Sequence, residues 1–304
     1  MTAASAAPRV ALVGTGMIGG SFALALKRAG AAARVVGFDV RAEAAARART
    51  LGIVDEVAAT AAEAVRGADV VVLAVPVGAT AAALEAIAPG LPDEALVTDV
   101  GSVKAPVLAA ATARLRHPAR FVGAHPLAGT ERSGPEAASA TLFEGRRCLV
   151  VPHAAADAAK VEACAALWRA TGARVTVVDA AAHDRAMAWV SHLPHAVAFA
   201  LAAAVGEVAS EEGLAGLYGG GFIDTTRIAA SDPTMWRDVF RENRAAVLAS
   251  LDGFERALAA LRGAIERGDG AALAAAVERA RAGRAAILDG NGGNGNGGGG
   301  GRGE

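Results

Sequence analysis

The six residues from Gly14 to Gly19, G-T-G-M-I-G, restrict the fold of this chain more than any other stretch. They follow a short β-branched run, Arg9 to Gly14, and precede a stretch of helical composition, Ser21 to Ala29. A second strand-like run, Arg34 to Asp39, ends in an acid 20 residues after Gly19. Strand, glycine turn, helix, strand and acid form the context in which this spacing binds a dinucleotide. One glycine makes the tight turn, one admits the pyrophosphate to the backbone, and one lets helix and strand pack closely. The helix N-terminus then offers free N–H groups to the phosphates. Gly14, Gly16 and Gly19, with Met17 and Ile18 between them, are therefore the expected cofactor contacts. Asp39 can accept both ribose hydroxyls of NAD, and its charge opposes the 2′-phosphate of NADP. Arg41 either offsets that repulsion in part or is a solvated first-turn residue; the acid rule favours NAD.

Asp69 to Pro76 is a continuous β-branched run of the kind that parallel sheets bury on both faces. Its end places Val75 and Pro76 near the cofactor. Leu96 to Gly101 forms another strand and runs into Ser102, Val103 and Lys104. Ser102 and Lys104 either cap the next helix or touch a ligand, and capping is the default for such a serine. Arg147 to Pro152 and Arg174 to Asp179 flank a helix-like segment, Ala155 to Thr171. Alternating strands and helices over residues 9–179 predict an α/β fold, a Rossmann-type doubly wound parallel sheet. Residues 180–289 carry no β-rich run and read as an all-helical domain. Residues 1–8 and the Gly/Asn-rich stretch 290–304 read as disordered.

Two polar constellations remain. Phe121 to Gly134, FVGAHPLAGTERSG, reads as a strand ending in a loop, where α/β enzymes keep their chemistry. His125 there either faces a substrate or is a turn histidine bonded to backbone. In the helical half, His192 and His195 bracket Leu193-Pro194, and the proline should break or kink the helix. Clustering favours His195 as ligand-facing and leaves His192 to bond backbone carbonyls. Gly219 to Phe240 follows, with Gly219, Gly220 and Gly221 permitting sharp turns. Asp224 and Arg227 lie three apart on one helical face, either a surface pair or, for Arg227, a grip on a carboxylate. Ser231-Asp232-Pro233 reads as a helix start.

Composition narrows the function classes. Formal net charge is -1 and no basic tract stands out, which argues against nucleic-acid partners. The two cysteines, Cys148 and Cys164, form no CxxC or Cys/His cluster, so no metal site is expected. The N-terminus is too short and polar for a signal peptide, and Ala196 to Gly206 falls short of the ~18 residues of a membrane span. A soluble cytoplasmic protein without membrane partners is expected.

Several of these motifs together resemble the prephenate and arogenate dehydrogenase family of tyrosine biosynthesis. They are GTGMIGGSFA from Gly14, DVGSVK from Asp99, GAHPLAGTERSG from Gly123, SHLPH from Ser191 and GGGFIDTTRIAASDPTMWRD from Gly219. The resemblance covers roughly residues 9 to 250. It implies NAD-dependent oxidative decarboxylation of prephenate to 4-hydroxyphenylpyruvate, with arogenate to tyrosine as the alternative. It further implies that His125 contacts the ring hydroxyl with Ser102 nearby, and that Arg227 binds a substrate carboxylate. His195 lines the pocket, Glu131 orders or gates it, and Gly220 and Asp224 complete the substrate side. The helical domain implies a homodimer. A β-hydroxyacid or imine-type dehydrogenase would use a catalytic lysine or acid in the helical half, yet Lys160 is the only lysine after Lys104. A non-catalytic NAD-sensing module would not need His125, Ser102, His195 and Arg227 together.

Overall fold

The computed structural model describes residues 7–289 except residue 131. The disorder expected of 290–304 and most of 1–8, and the role expected of Glu131, lie outside the described residues. In chain order the elements are β1 (Arg9–Val13), α1 (Met17–Arg28), β2 (Arg34–Phe38), α2 (Ala42–Thr50), β3 (Glu56–Val57), α3 (Ala61–Val65), β4 (Val70–Leu73), α4 (Thr80–Ile87), β5 (Leu96–Asp99), α5 (Ala105–Arg114) and β6 (Phe121–Pro126). There follow β7 (Arg147–Pro152), α6 (Ala158–Ala170), β8 (Arg174–Val177), α7 (Ala180–Met187), α8 (Leu193–Glu212), α9 (Gly220–Thr226), α10 (Pro233–Glu242), α11 (Arg244–Glu266) and α12 (Gly270–Asp289). Among the described residues, every element after β8 is helical, as expected.

The eight strands form one sheet in the order β3-β2-β1-β4-β5-β6-β7-β8. Strand order reverses between β1 and β4, and the crevice beyond their C-terminal ends is the binding position of open α/β sheets. The sheet is mostly parallel, as expected; among the described strands, β7 runs antiparallel to β6. The cause is the connection. Parallel neighbours need a crossover, usually a helix. Among its described residues the segment between β6 and β7 holds turns and a short 3-10 helix, Pro135–Ala137, but no crossover α-helix, so the chain returns antiparallel. A true crossover, α6, then sets β8 parallel to β7. The two-residue β3 is too short to leave a period in the sequence.

The pleat divides the strand side chains between two cores. Val10 and Leu12 of β1 join Val70 and Val72 of β4 on one face, against Phe22 of α1 and Trp168 of α6. Ala11, Val13, Val71 and Leu73 point the other way, toward Leu84 of α4 and Leu108 of α5. Trp168 lies 4.5 Å from Phe22 and 5.2 Å from Phe143 between ring centroids, the one dense aromatic cluster on its face. Around it the helices pack with small side chains: α2 buries only Ala44, Ala45 and Ala48.

Residues up to Leu248 form one compact unit and those from Ala249 a second. The first therefore includes α7 to α10 together with the sheet. In place of the kink expected at Pro194, a π turn, Ala188–His192, joins α7 to α8. Pro194 falls in the first turn of α8, where a missing N–H costs little.

Candidate active site

The glycine loop after β1 shows the three expected roles in its geometry. Gly14 adopts φ +96°, and a Cβ there would stand 2.2 Å from the Ala74 carbonyl oxygen. A Cβ on Gly19 would stand 2.5 Å from the Gly14 oxygen and 2.6 Å from Ala74 Cβ, so α1 packs hard onto the end of β4. Gly16 has nothing within 4 Å and is the N-cap of α1, with no side-chain cap and no acid in the first turn. Free N–H groups facing open space suit a pyrophosphate, so the residues fit a dinucleotide. Met17 opens the helix and accepts a contact from the Thr130 hydroxyl at 3.4 Å; Ile18 packs on the core. Asp39 accepts from Thr15 N at 2.9 Å and from the Thr15 hydroxyl at 3.1 Å, so the acid also pins the glycine loop. Arg41 is mostly exposed, with Nε 3.7 Å from Asp39 Oδ1. Val75 and the exposed Pro76 follow β4 on the rim of the same crevice.

Beyond β5 the chain builds a buried charged knot. Lys104 is fully buried; its Nζ pairs with Asp99 Oδ2 and donates to the Ala124 carbonyl at 2.9 Å. Asp99 also accepts from Gly101 N at 2.8 Å and from Ala124 N at 3.2 Å. The knot thus ties β5, the turn carrying Ser102, and β6. Gly123 is required beside it, since a Cβ would meet Val151 O at 2.9 Å and Lys104 Cδ at 3.2 Å. Neither Ser102 nor the Lys104 side chain caps α5. That role belongs to Asp184 of α7, whose Oδ1 accepts from Lys104 N and Oδ2 from Ala105 N, each at 2.8 Å.

His125 sits in β6 rather than in the loop, paired across the strands with Leu149. Alternation puts it on the face of Phe121 and Gly123. Its Nδ1 lies 2.9 Å from His183 Nε2, and His183 Nδ1 lies 2.7 Å from Asp184 Oδ1. Burial, and then the neighbouring His183, Lys104 and His192, hold the His125 imidazole well below the usual histidine range. His125 is thus neither a turn histidine nor bonded to nearby backbone through its ring: it is the outer member of a His-His-Asp chain. The sequence marks His183 as the first of three histidines in an apolar helical segment, His183 to Leu201, but assigns no role to it or to Asp184. Their signal was a polar run, His183-Asp184-Arg185, inside an otherwise apolar helix.

A second cluster holds the other predicted residues. Trp236 of α10 packs with Val103, next to Ser102, and with Val77, next to Pro76. The His195 ring stacks on Trp236 at 3.8 Å, and its Nδ1 meets the Ser191 carbonyl at 2.9 Å. The roles expected of the two helical histidines are therefore exchanged in one respect. His195 makes the backbone bond, while keeping Nε2 free among the described residues. His192 is buried and meets Asn243 Nδ2 at 3.1 Å, and burial pushes it down to about 4. Asn243 also donates to the Asp184 carbonyl at 2.8 Å. Arg227, at the end of α9, is exposed and close enough to His195 to lower its pKa, after burial. Gly220 and Asp224 stand exposed on α9, and no ion pair joins Asp224 to Arg227 among the described residues. Asp232 caps α10 through Met235 N, as its sequence indicates.

Two family models tile the chain: the prephenate dehydrogenase nucleotide-binding domain over residues 22–177 and its dimerization domain over residues 179–279. The cyclohexadienyl dehydrogenase of Zymomonas mobilis is 38% identical over 263 residues, 86% of this chain and 89% of that protein. The prephenate dehydrogenase of Bacillus subtilis is 37% identical over 265 residues, covering 86% of this chain and 71% of that protein. The chain belongs to the prephenate dehydrogenase family.

A crystal structure of the A. aeolicus prephenate dehydrogenase, in complex with hydroxyphenyl propionate and NAD+, superposes with a TM-score of 0.88. It shares 36% sequence identity and covers 94% of this chain and 100% of that one. The present chain is thus an oxidoreductase of that family, with a nucleotide-binding and a dimerisation domain. Ala180–Ala209 is long and apolar enough to cross a membrane, by length and composition. Its first turns, however, bury His183 and Asp184 against the sheet, which ties that end to the nucleotide-binding fold. Lys104 offers the sharpest test of the knot. Lys104→Met strands the Asp99 carboxylate and should cost about 3–5 kcal/mol in urea unfolding. A loss below about 1 kcal/mol would mean the pair does not hold β5 to β6.

Proposed function

We propose that this chain carries out NAD-dependent oxidative decarboxylation of prephenate to 4-hydroxyphenylpyruvate. The observation that carries the reading is His125, an imidazole kept neutral at neutral pH, at the C-terminal end of β6 beside the dinucleotide crevice. Prephenate is a cyclohexadienol with a ring carboxylate and a pyruvyl side chain. Oxidation of its carbinol carbon needs an acceptor for the hydroxyl proton, and a neutral imidazole supplies one. The nicotinamide, when bound, supplies the hydride acceptor. As the carboxylate leaves as CO2, its bonding pair enters the ring, which becomes aromatic. The protein then has mainly to position the substrate and accept one proton.

Gly14, Gly16, Gly19, Met17 and Ile18 hold the dinucleotide in this reading, with Val75 and Pro76 on its other side. Asp39 takes the ribose hydroxyls, which supports NAD over NADP. Ser102 stands on the turn beside His125, and Arg227 grips a substrate carboxylate with His195 lining the pocket. Glu131, Gly220 and Asp224 complete the substrate side. Trp189, Val190, Leu217, Tyr218 and Ile223 leave large apolar side chains exposed along the dimerisation segment. That supports a homodimer assembled through the helices.

Arogenate is the second reading, favoured by the cyclohexadienyl dehydrogenase name of the Zymomonas mobilis relative. The two substrates differ only at the side chain, an amino group in place of a keto group. Steady-state dinucleotide reduction with each substrate, and with NAD and NADP in turn, separates the readings. Prephenate with NAD should give the highest kcat/KM. Preference for arogenate moves the specificity to the side-chain end of the pocket, and turnover of neither removes the proposal.

Two variants test the assigned roles. His125→Asn should lower kcat by ~10²–10⁴ with NAD affinity unchanged. Because the neutral ring is the active form and its pKa is depressed, wild-type kcat/KM should stay level through neutral pH and fall only on acidification. Arg227→Ala should weaken kcat/KM by about 2–5 kcal/mol, the cost of leaving a bound carboxylate unpaired. Near-wild-type kcat/KM would place the carboxylate elsewhere.

A further inference from the structure

We propose that Asp184 and His183 are positioning residues that lock His125 in the Nδ1–H tautomer and take up charge behind it. The inference rests on His125 being the base of the proposed reaction. The argument runs outward from Asp184. An ionised carboxylate only accepts, and this one already accepts from Lys104 N and Ala105 N. His183 Nδ1, 2.7 Å from its Oδ1, must therefore carry a hydrogen. A neutral His183 with its hydrogen on Nδ1 presents a lone pair at Nε2. His125 Nδ1, 2.9 Å away, must donate to that lone pair. The remaining nitrogen, His125 Nε2, has no partner among the described residues and is left as an acceptor. Each tautomer follows from the one behind it.

The consequence is chemical. An unconstrained neutral imidazole prefers its hydrogen on Nε2, which would aim a donor at the substrate hydroxyl. With the chain in place, Nε2 can take the hydroxyl proton. His125 can in turn pass its Nδ1 proton to His183 Nε2. One proton enters at Nε2 and one leaves at Nδ1, so His125 ends neutral and the charge rests on His183 beside the Asp184 carboxylate. The Asp184 carboxyl is held below its ordinary range, against burial, by His183 and the backbone donors Ala105 and Lys104. The same carboxylate fixes the start of α5, and its carbonyl accepts from Asn243 at 2.8 Å. The acceptor is therefore anchored from three sides. The charged and titratable groups around His125 are His183 and Asp184 of α7, Asp99 of β5 and Lys104 after it, Cys148 of β7 and His192 of the π turn.

The test is two-bond ¹⁵N–¹H correlation on the histidine-labelled wild-type protein with NAD, with His125 assigned by its loss in His125→Asn. Protonation at Nδ1 is expected, and protonation at Nε2 overturns the proposal. This readout needs no turnover. Failure to oxidise either substrate would sink the proposed function while leaving the tautomer result standing. Kinetics supply the second arm. Asp184→Asn can turn its amide toward His183 and reverse the chain, so kcat should fall ~10²-fold or more with NAD affinity retained. The acid limb of its kcat profile should move to lower pH, since the carboxylate no longer stabilises charge on the histidine pair. Asp184→Glu should restore part of kcat. A role limited to capping α5 would lower stability and leave the acid limb in place, and that outcome also overturns the proposal.

Discussion

Lys104 carries a full charge to a point with no exposure to solvent, and the ends of two strands are arranged around it. Its partners are the Asp99 carboxylate at the end of β5 and the Ala124 carbonyl in β6. A buried ion is tolerated only when paired and hydrogen-bonded on its remaining valences, and here each partner is itself fixed by backbone. Asp99 takes the N–H of Gly101 and of Ala124, so one side chain sets where the Ser102 turn leaves the sheet and where β6 lies. His125 follows Ala124 directly. The position of the proposed base is therefore inherited from a charge pair outside the proposed proton relay. Gly123 lacks a side chain because Lys104 and the Val151 carbonyl occupy that space.

The same charge shapes the electrostatics. A cation near His125 disfavours imidazolium, and burial acts in the same sense. Together they keep the ring neutral without a protein donor on its outer nitrogen. Asp184 opposes them at one remove. Placed behind His183 rather than against His125, it stabilises charge that arrives on His183 in the proposed relay, while burial and Lys104 disfavour imidazolium at His125 itself.

Much of this was legible in the sequence because it depends on local chemistry. A glycine at positive φ, a β-branched run, and an acid closing the second strand each leave a mark within a few residues. Gly14, Gly19 and Asp39 stand where their spacing puts them. The direction of β7 was not legible, since it depends on what the β6–β7 connection lacks, and a loop of that length resembles any other. The His-His-Asp chain was hidden for a different reason. His125 and His183 are 58 residues apart, and their pairing depends on where α7 docks after β8. Clustering in sequence drew attention to His192 and His195 instead, where adjacency reflects helical periodicity rather than shared function.

The helical residues up to Leu248 show why the site is built from both halves of that unit. Trp236 is the meeting point: Val77 and Val103 reach it from the ends of β4 and β5, and His195 stacks on it from α8. Ring stacking with Trp236 orients His195, while the Ser191 carbonyl engages Nδ1 and leaves Nε2 free among the described residues. A π turn places this histidine by shifting the helix register one residue just before Pro194. An unbroken α-helix would rotate the residues beyond it by about 100° relative to α7 for each residue removed. His183 and Asp184 could then still face β6 and α5, but His195 would turn away from Trp236. The π turn is thus what allows one continuous helical rod to present Asp184 and His183 to the sheet at one end and His195 to the aromatic cluster at the other.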